Sequence, residues 1–146
     1  MSIIAWDGIT LAVDRAATIN STIQETSKSR QLENGAVLAW CRVLESGMVL
    51  ANWYENGANP DDWPECQSGK EWGNLIVVNG LGCFEYEKLY IAQPIIAKHF
   101  AWGTGAELAL GAMAAGANAE TAARIACKHD ANCGMGVDTY RYPAAP

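Results

Sequence analysis

The stretch that decides the fold is residues 1–14, Met-Ser-Ile-Ile-Ala-Trp-Asp-Gly-Ile-Thr-Leu-Ala-Val-Asp. Two apolar runs, at residues 3–6 and 9–13, flank the dipeptide Asp7-Gly8. Apolar runs on either side of Asp-Gly are typical of a β-hairpin, because Asp and Gly accept the backbone conformations of a tight turn. The sequence therefore predicts that the chain begins with two antiparallel strands.

The register of this hairpin decides whether Ser2 and Asp14 meet. A two-residue loop would put their side chains on opposite faces, since facing positions share a face and neighbours alternate. The division of polar and apolar residues favours a three-residue loop, Trp6-Asp7-Gly8, with Gly8 in the left-handed region. One face would then carry Ser2, Thr10, Ala12 and Asp14, and the other Ile3, Leu11 and Val13.

Ser2 is a candidate nucleophile because of its position. A methionine followed by a small residue is normally removed in the cell, which would leave Ser2 with a free α-amine. Such an amine has a pKa of about 8 and can take the proton of its own residue's hydroxyl as that hydroxyl attacks a carbonyl. The same residue is also an ordinary second residue of cytosolic proteins, so position alone leaves both interpretations open.

Composition limits the class of protein. The 146 residues predict a single domain, residues 1–146, with room for a core. No apolar run approaches the roughly 20 residues of a membrane span, and no secretion signal is visible. The net charge is −6 without a basic cluster, which argues against nucleic-acid binding. Five cysteines without a Cys-x-x-Cys pair indicate reduced thiols and a cytoplasmic location: Cys41, Cys66, Cys83, Cys127 and Cys133.

Periodicity and turn residues predict a mixture of strands and helices after the hairpin. Residues 15–30 are polar and indicate a loop or an edge strand, and residues 59–70 a loop. Strands are predicted at residues 36–40, 74–78, 83–86, 137–142 and, with Pro94 at an edge, 90–96. Helices are predicted at residues 43–56, 107–115 and 118–128, the last capped by Asn118. This order favours an α+β layered sandwich.

Five segments resemble, in order and with similar spacing, the proteasome-type N-terminal nucleophile hydrolases. The resemblance is nearest to the bacterial proteasome-like peptidase subunit and to short phage and bacterial versions of that fold, and it is patchy between residues 42 and 90. The segments are Ser2, Leu-Ala-Val-Asp-Arg-Ala-Ala-Thr at 11–18, Thr-Ser-Lys-Ser-Arg-Gln-Leu at 26–32, Trp-Gly-Thr-Gly-Ala at 102–106 and His-Asp-Ala-Asn-Cys-Gly at 129–134.

The resemblance implies a four-layer αββα sandwich and a catalytic site. Ser2 stands where the family has its N-terminal Thr, and Asp14 and Lys28 match the family's aspartate and active-site lysine. The supporting positions fall on Thr104, Asp130 and Cys133, where Thr and Cys replace two serines. The implied activity is hydrolysis of a peptide or amide bond after removal of Met1, without a metal or organic cofactor. Implied partners are a peptide or protein substrate, further copies in a ring and an ATPase.

Each site residue also has an ordinary structural interpretation. Asp14 and Arg15 could form a solvated ion pair at a strand end, and Lys28 could lie on the surface. Thr104 could cap a helix. Asp130 suits a turn, and Cys133 a small buried position.

One departure from the family makes a second function possible. Where the family has a small, Gly-rich turn that supplies the oxyanion amide, this chain has Trp40-Cys41-Arg42-Val43. A bulky side chain there would fill the cleft or change the backbone. The alternative is a catalytically degenerate phage or bacterial binding protein on the same scaffold. An exposed aromatic patch of Trp53, Trp63 and Trp72 would favour this alternative. A thiol-dependent activity at Cys133 lacks a well-placed histidine other than His129.

Overall fold

The computed structural model describes residues 2–65 and 71–143, which form eleven strands and three α-helices. The strands are β1 (Ile4–Trp6), β2 (Thr10–Asp14), β3 (Ala16–Ile19), β4 (Thr22–Glu25), β5 (Ser29–Gln31), β6 (Val37–Cys41), β7 (Asn74–Asn79), β8 (Gly82–Tyr86), β9 (Gln93–Pro94), β10 (Phe100–Trp102) and β11 (Val137–Arg141). The helices are α1 (Leu44–Glu55), α2 (Ala106–Ala114) and α3 (Ala119–His129).

Two antiparallel sheets and the three helices form four layers. The first sheet has the strand order β10-β1-β2-β11, and the second has the order β5-β6-β7-β8-β9. Helices α2 and α3 pack on the outer face of the first sheet, and α1 packs on the outer face of the second. The predicted αββα sandwich is therefore confirmed. Within the described residues, no helix is long and apolar enough to cross a membrane.

Strand alternation divides the buried residues into three apolar layers, because neighbouring side chains on a strand point to opposite faces. Between the sheets lie Ile4, Trp6, Leu11, Val13, Val37, Ala39, Cys41, Ile76 and Val78. Under α2 and α3 lie Ile3, Ala5, Ala12, Ala109, Met113, Ala122 and Ala126. Under α1 lie Leu38, Trp40, Leu50, Leu75 and Val77. Small alanines between α2, α3 and the first sheet let these elements approach closely.

The predicted register of the first hairpin is wrong. The structure pairs Trp6 with Leu11, so the tight loop is Gly8-Ile9 and not Trp6-Asp7-Gly8. As a result Asp14 shares its face with Ala12 and with Ile3, which the prediction had placed on the opposite face. Ser2 precedes β1, so its side chain does not have to follow the strand alternation.

The side chain of Asp7 explains the shift of the turn. Its Oδ1 accepts hydrogen bonds from the backbone N–H groups of Ile9 and Thr10, at 2.9 and 2.7 Å. Its Oδ2 accepts from the N–H of Ala119, at 2.8 Å, and so fixes the hairpin to the start of α3. An aspartate that bonds the backbone two and three residues ahead forms the turn after itself.

Most other predicted elements are found within one or two residues of their predicted ends. The exception is the apolar segment 90–96, where only Gln93–Pro94 forms a strand, and Phe100–Trp102 is a strand that the sequence pattern does not predict. Residues 15–30, predicted as a loop or an edge strand, contain the hairpin of β3 and β4 and the strand β5. The side chain of Asn118 accepts a hydrogen bond from the N–H of Thr121 and caps α3 as predicted. Four of the cysteines are free thiols, at positions 41, 83, 127 and 133, and Cys66 lies outside the described residues.

The layer between the sheets is expected to hold the fold together. Ile76→Ala removes a side chain with no exposure from that layer, and we expect a loss of about 2–5 kcal/mol in the free energy of unfolding. Ile96→Ala changes a side chain that is 90% exposed, and its loss should stay below about 0.5 kcal/mol. Urea denaturation followed by tryptophan fluorescence measures both, and equal losses would contradict the assigned layer.

Candidate active site

A buried lysine ammonium joins two of the other predicted site residues. Lys28 Nζ donates to Ser2 Oγ at 3.0 Å and to Asp14 Oδ1 at 2.6 Å. Its third hydrogen bond goes to the carbonyl oxygen of Ala16, at 2.6 Å. The side chains of Lys28 and Asp14 are 3% and 0% exposed, so the ion pair is shielded from solvent. Lys28 is therefore a buried lysine whose ammonium group makes three hydrogen bonds, and not a surface lysine.

Asp14 is held in place by the backbone around it. Its Oδ1 accepts from the N–H of Ile3 at 3.1 Å, in addition to Lys28. Its Oδ2 accepts from the N–H groups of Ala16, at 3.4 Å, and Gly134, at 3.1 Å. A carboxylate with several N–H donors is well stabilised in its charged form. Arg15 pairs with Glu25 and Asp138, so an ion pair between Asp14 and Arg15 is not formed.

The segment before α2 lies directly on Ser2. The N–H of Gly105 donates to the carbonyl oxygen of Ser2 at 3.1 Å. At Gly103, φ is +98° and an added Cβ would collide with the carbonyl group of Ser2. This close approach requires glycine at position 103. The Gly-x-Gly sequence around Thr104 thus fixes the backbone of the candidate nucleophile.

Thr104, Asp130 and Cys133 form a second group beside the first. Thr104 Oγ1 lies 3.9 Å from Cys133 Sγ, which lies 3.5 Å from Asp130 Oδ2. The N–H of Asn132 and the hydroxyl of Thr104 hold the pKa of Asp130 below its usual value. Gly105 connects the two groups, because an added Cβ there would lie 3.1 Å from Cys133 Sγ and 3.3 Å from the Cβ of Ile3.

The Cys133 thiol is buried and neutral. Burial raises its pKa to about 12, and the nearby charge of Asp14 acts in the same direction. Because the thiolate is the reactive form of cysteine, a neutral buried thiol suits a hydrogen-bonding role better than a nucleophilic one. This arrangement disfavours the thiol-dependent activity considered from the sequence.

Two cavities adjoin Ser2, and Arg42 lines both. The first has a volume of about 60 Å³ and is lined by Ser2, Ala16, Ala17, Thr18, Lys28, Trp40, Cys41, Arg42 and Leu44. The second is an open cleft of about 480 Å³, lined by Arg42, Val43, Glu71, Trp72, Gly103 and Thr104. Ser2 itself is 2% exposed and lines the first cavity only, so its hydroxyl is reached through that cavity.

The segment Trp40-Cys41-Arg42-Val43 does not fill the space beside Ser2 with an indole. Trp40 packs under α1, where an added Cβ at Gly47 would lie 2.7 Å from its side chain. Arg42 has φ +73°, in the left-handed region that normally favours glycine. The turn therefore has a glycine-like backbone at Arg42 although the sequence has no glycine there.

The three tryptophans proposed as a binding patch are packed together with the protein interior. Trp53 is buried, and its ring contacts Trp63 edge-on at 4.7 Å and Tyr86 at 5.3 Å. Trp63 and Trp72 are half-buried against the residues under α1. An exposed aromatic patch is therefore not formed by Trp53, Trp63 and Trp72.

Several groups of the site carry no signal that sequence reasoning used. The carbonyl of Ala16 and the N–H groups of Ile3 and Gly134 belong to the backbone, which every residue shares. The sequence predicts that the bulky residues of this turn fill the cleft or change the backbone, whereas the structure gives Arg42 a glycine-like backbone conformation. Gly103 was visible as part of a Gly-x-Gly sequence, and the structure gives the reason for it. No three His, Cys, Asp or Glu side chains of residues 2–65 and 71–143 cluster as metal ligands.

Comparison with known proteins identifies the fold. The sequence matches no protein-family model and no curated protein. Solved structures do match over the full chain. The Thiobacillus denitrificans BPH structure in complex with epoxomicin has 17% identity and a TM-score of 0.71, with 100% of both chains covered. A second structure of Thiobacillus denitrificans BPH has 16% identity and a TM-score of 0.69, again over 100% of both chains.

A eukaryotic relative gives the same result. Eukaryotic HslV from Trypanosoma brucei has 19% identity and a TM-score of 0.72, over 96% of this chain and 97% of that one. These structures are proteasome-type peptidases, and the chain described here has their N-terminal nucleophile hydrolase fold. The fold implied by the resemblance is thereby confirmed.

The buried ion pair is expected to be essential for stability. Lys28→Met leaves Asp14 charged and buried without its cation, and we expect a loss of about 3–5 kcal/mol in the free energy of unfolding. Lys98→Met, at an exposed lysine, should cost less than about 0.5 kcal/mol. Similar losses in urea denaturation would return Lys28 to the role of a surface lysine.

Proposed function

We propose that the chain is an N-terminal nucleophile hydrolase that cleaves a peptide or amide bond with Ser2, after removal of Met1. The observation that carries this proposal is the buried Lys28 ammonium, 3.0 Å from Ser2 Oγ and 2.6 Å from Asp14 Oδ1. A cation held against a hydroxyl in a water-poor site stabilises negative charge as it develops on the oxygen.

The proposed reaction has two steps. In the first, Ser2 Oγ attacks the substrate carbonyl carbon while the α-amine of Ser2 takes the hydroxyl proton. The tetrahedral intermediate then breaks its carbon–nitrogen bond, and the α-ammonium returns the proton to the leaving amine. In the second step, a water molecule, activated by the same amine, hydrolyses the ester on Ser2 and releases the acid. Asp14 keeps Lys28 in place through both steps.

The supporting residues act on the α-amine and on the oxyanion. We assign Asp130, Cys133 and Thr104 to the orientation of the amine, because their hydrogen-bonded group is connected to Ser2 through Gly105. For the oxyanion, backbone N–H groups of the turn at Arg42 and Val43 are the proposed donors. The left-handed φ of Arg42 and its place beside Ser2 in the first cavity support this assignment.

The second candidate function is a catalytically degenerate binding protein with the same fold. The low exposure of Ser2, 2%, and the small volume of the first cavity favour it. The packed state of Trp53, Trp63 and Trp72 speaks against the aromatic surface that this candidate had been expected to use. The two candidates differ in whether Ser2 reacts.

The state of Ser2 is tested by the intact mass of untagged protein before and after reaction with a peptide boronate or a β-lactone. The proposal predicts a mass lower by one methionine and one adduct per chain. Ser2→Ala should lose both the adduct and peptide hydrolysis. Its melting temperature should fall by only about 2–4 °C, because one hydrogen bond of about 1 kcal/mol is lost. Retained Met1 without an adduct would favour the binding protein.

The charge of Arg42 predicts a preference for acidic substrates. In the first cavity the charge of Lys28 is neutralised by Asp14, and the exposed Arg42 forms no ion pair with a described residue. We expect peptides with Glu beside the cleaved bond to have a higher kcat/KM than peptides with Lys there. Arg42→Gln should reduce the ratio of kcat/KM for the Glu peptide to kcat/KM for the Lys peptide about fivefold. This factor corresponds to the loss of a partly exposed ion pair of about 1 kcal/mol.

The control for this preference is Arg124→Gln, which removes an exposed arginine paired with Glu120 on α3. Like Arg42→Gln, it makes the net charge more negative by one unit, and it should leave this ratio of kcat/KM values unchanged. If both variants change the ratio alike, the preference reflects the charge of the whole protein and not the cavity.

The resemblance extends the proposal to partners and location. It adds further copies of the chain in a ring, an ATPase partner and a cytoplasmic site, in a bacterial host if the protein is phage-encoded. Light scattering after size-exclusion chromatography tests the ring directly, because a ring has several times the mass of one chain.

A further inference from the structure

The left-handed conformation of Arg42 needs an explanation in the surrounding structure. A residue with a Cβ in this region costs roughly 1–2 kcal/mol relative to ordinary backbone. Such a conformation persists only where neighbouring contacts fix it from both sides. The residues that fix it therefore control the direction of the Arg42 and Val43 N–H groups.

The backbone on the N-terminal side of Arg42 is fixed by a polar chain, meaning the side-chain hydrogen bonds that link Cys41, Asn74 and Glu85. Cys41 pairs with Asn74 across β6 and β7, and its Sγ donates to Asn74 Oδ1 at 2.8 Å. Asn74 Nδ2 in turn donates to Glu85 Oε2 at 2.7 Å, which orients the amide with its oxygen towards the thiol. Burial raises the pKa of Cys41 to about 12, so the thiol keeps the proton that it donates.

The side after Arg42 is fixed by the neighbour of Asn74. The N–H of Gly73 donates to Ser46 Oγ at 2.7 Å, in the first turn of α1. That hydroxyl donates to the carbonyl oxygen of Val43 at 3.3 Å. An added Cβ at Gly73 would lie 2.6 Å from the same carbonyl oxygen and 2.9 Å from the N–H nitrogen of Gly47. Only glycine permits this approach.

The polar chain is not needed to fill space. Cys41 belongs to the apolar layer between the sheets, together with Ile4 and Ile76. Apolar side chains of similar volume usually stabilise such a layer as well as or better than a buried polar group. A polar chain differs from them because each hydrogen bond allows one orientation only. The polar chain therefore serves to orient the adjoining turn at Arg42 and Val43.

From these contacts we infer that Gly73 and Asn74 are positioning residues, which clamp the Arg42–Val43 turn so that its N–H groups face the substrate oxyanion. Asn74 acts through Cys41, and Gly73 acts through Ser46 and Val43. This inference rests on the proposed hydrolase function for its kinetic consequences, but the clamp itself is a property of the folded chain.

The first experiment compares Cys41→Ala, which removes the donor to Asn74, with Cys41→Ser, which keeps one. Because a misdirected oxyanion donor affects the transition state, Cys41→Ala should lower kcat about 10- to 100-fold, less than the 100- to 1000-fold of a lost donor. KM should stay within about twofold. Binding of a peptide boronate, which forms a tetrahedral adduct, should weaken by the same factor as kcat. Cys41→Ser should restore both values to within about threefold.

The matched control is Cys83→Ala. Cys83 is another buried thiol of the layer between the sheets, on β8, where it pairs with Val78 at the opposite end of β7 from Asn74. Its loss removes the same volume and should leave kcat within about twofold. If Cys41→Ala lowers kcat no more than Cys83→Ala, or if Cys41→Ser behaves like Cys41→Ala, the inference is overturned.

A second pair tests Gly73. Gly73→Ala forces Val43 away from its position and should lower kcat by a factor similar to that of Cys41→Ala. Gly111→Ala adds the same methyl group on α2, where no atom lies within 4 Å, and should leave kcat unchanged. Equal kcat values for the two variants would exclude Gly73 from the clamp.

Hydrogen exchange separates a failed clamp from a failed function. Loss of the clamp should make the amides of Gly73 and Gly47, which donate to Ser46 Oγ and to the carbonyl oxygen of Val43, exchange at least about tenfold faster in Cys41→Ala than in Cys83→Ala. If exchange changes in this way but the unaltered protein neither hydrolyses peptides nor forms an adduct, the proposed function is wrong and the clamp stands. If exchange is the same in both variants, the clamp is wrong whatever the activity.

Discussion

The ion pair between Lys28 and Asp14 is the interaction on which the rest of the structure depends. Asp14 ends β2 in the first sheet, and Lys28 immediately precedes β5 in the second, where its carbonyl accepts from the N–H of Trp40. The pair therefore joins the two sheets at one edge of their shared apolar layer. Because a buried charge without its partner is strongly destabilising, an arrangement of the sheets that separated Lys28 from Asp14 is strongly disfavoured. The position of Ser2 depends on this pair together with the Gly103–Gly105 segment, which holds its backbone.

The backbone completes what the ion pair begins. Carboxylate and ammonium together need more hydrogen bonds than they give each other, and the remaining partners are the N–H groups of Ile3 and Gly134 and the carbonyl of Ala16. Ile3 directly precedes β1, Gly134 lies in the loop after α3, and Ala16 begins β3. Four segments distant in the chain thus converge on one charged pair. The same convergence brings the Gly134 loop, with Cys133 and Asp130, to the side of Ser2.

The sequence predicts the elements better than their contacts. Alternation and caps are local properties, so the strand at residues 74–78 and the helix after Asn118 are found where predicted. The predicted register of the first hairpin is wrong because the side chain of Asp7 accepts hydrogen bonds both from the turn and from the start of α3. A local sequence pattern does not reveal the contact with α3. For the site, residue types alone left each position ambiguous. The ordered resemblance to a known family brought the six residues together, and the backbone partners of Lys28 and Asp14 required the folded structure.

Arg42 shows how a residue other than glycine reaches the backbone conformation of a glycine-rich turn. A glycine-rich turn supplies a backbone conformation, and other residues reach that conformation when their neighbours stabilise it. Here the stabilisation comes from hydrogen bonds on both sides of the turn, through Cys41 and Ser46. Arg42 is exposed and lines the cavity that Ser2 also lines, while Trp40 keeps its place under α1. Under the proposed function, Arg42 would thus add a positive charge beside the substrate, and its left-handed backbone would take the place of the glycine-rich turn.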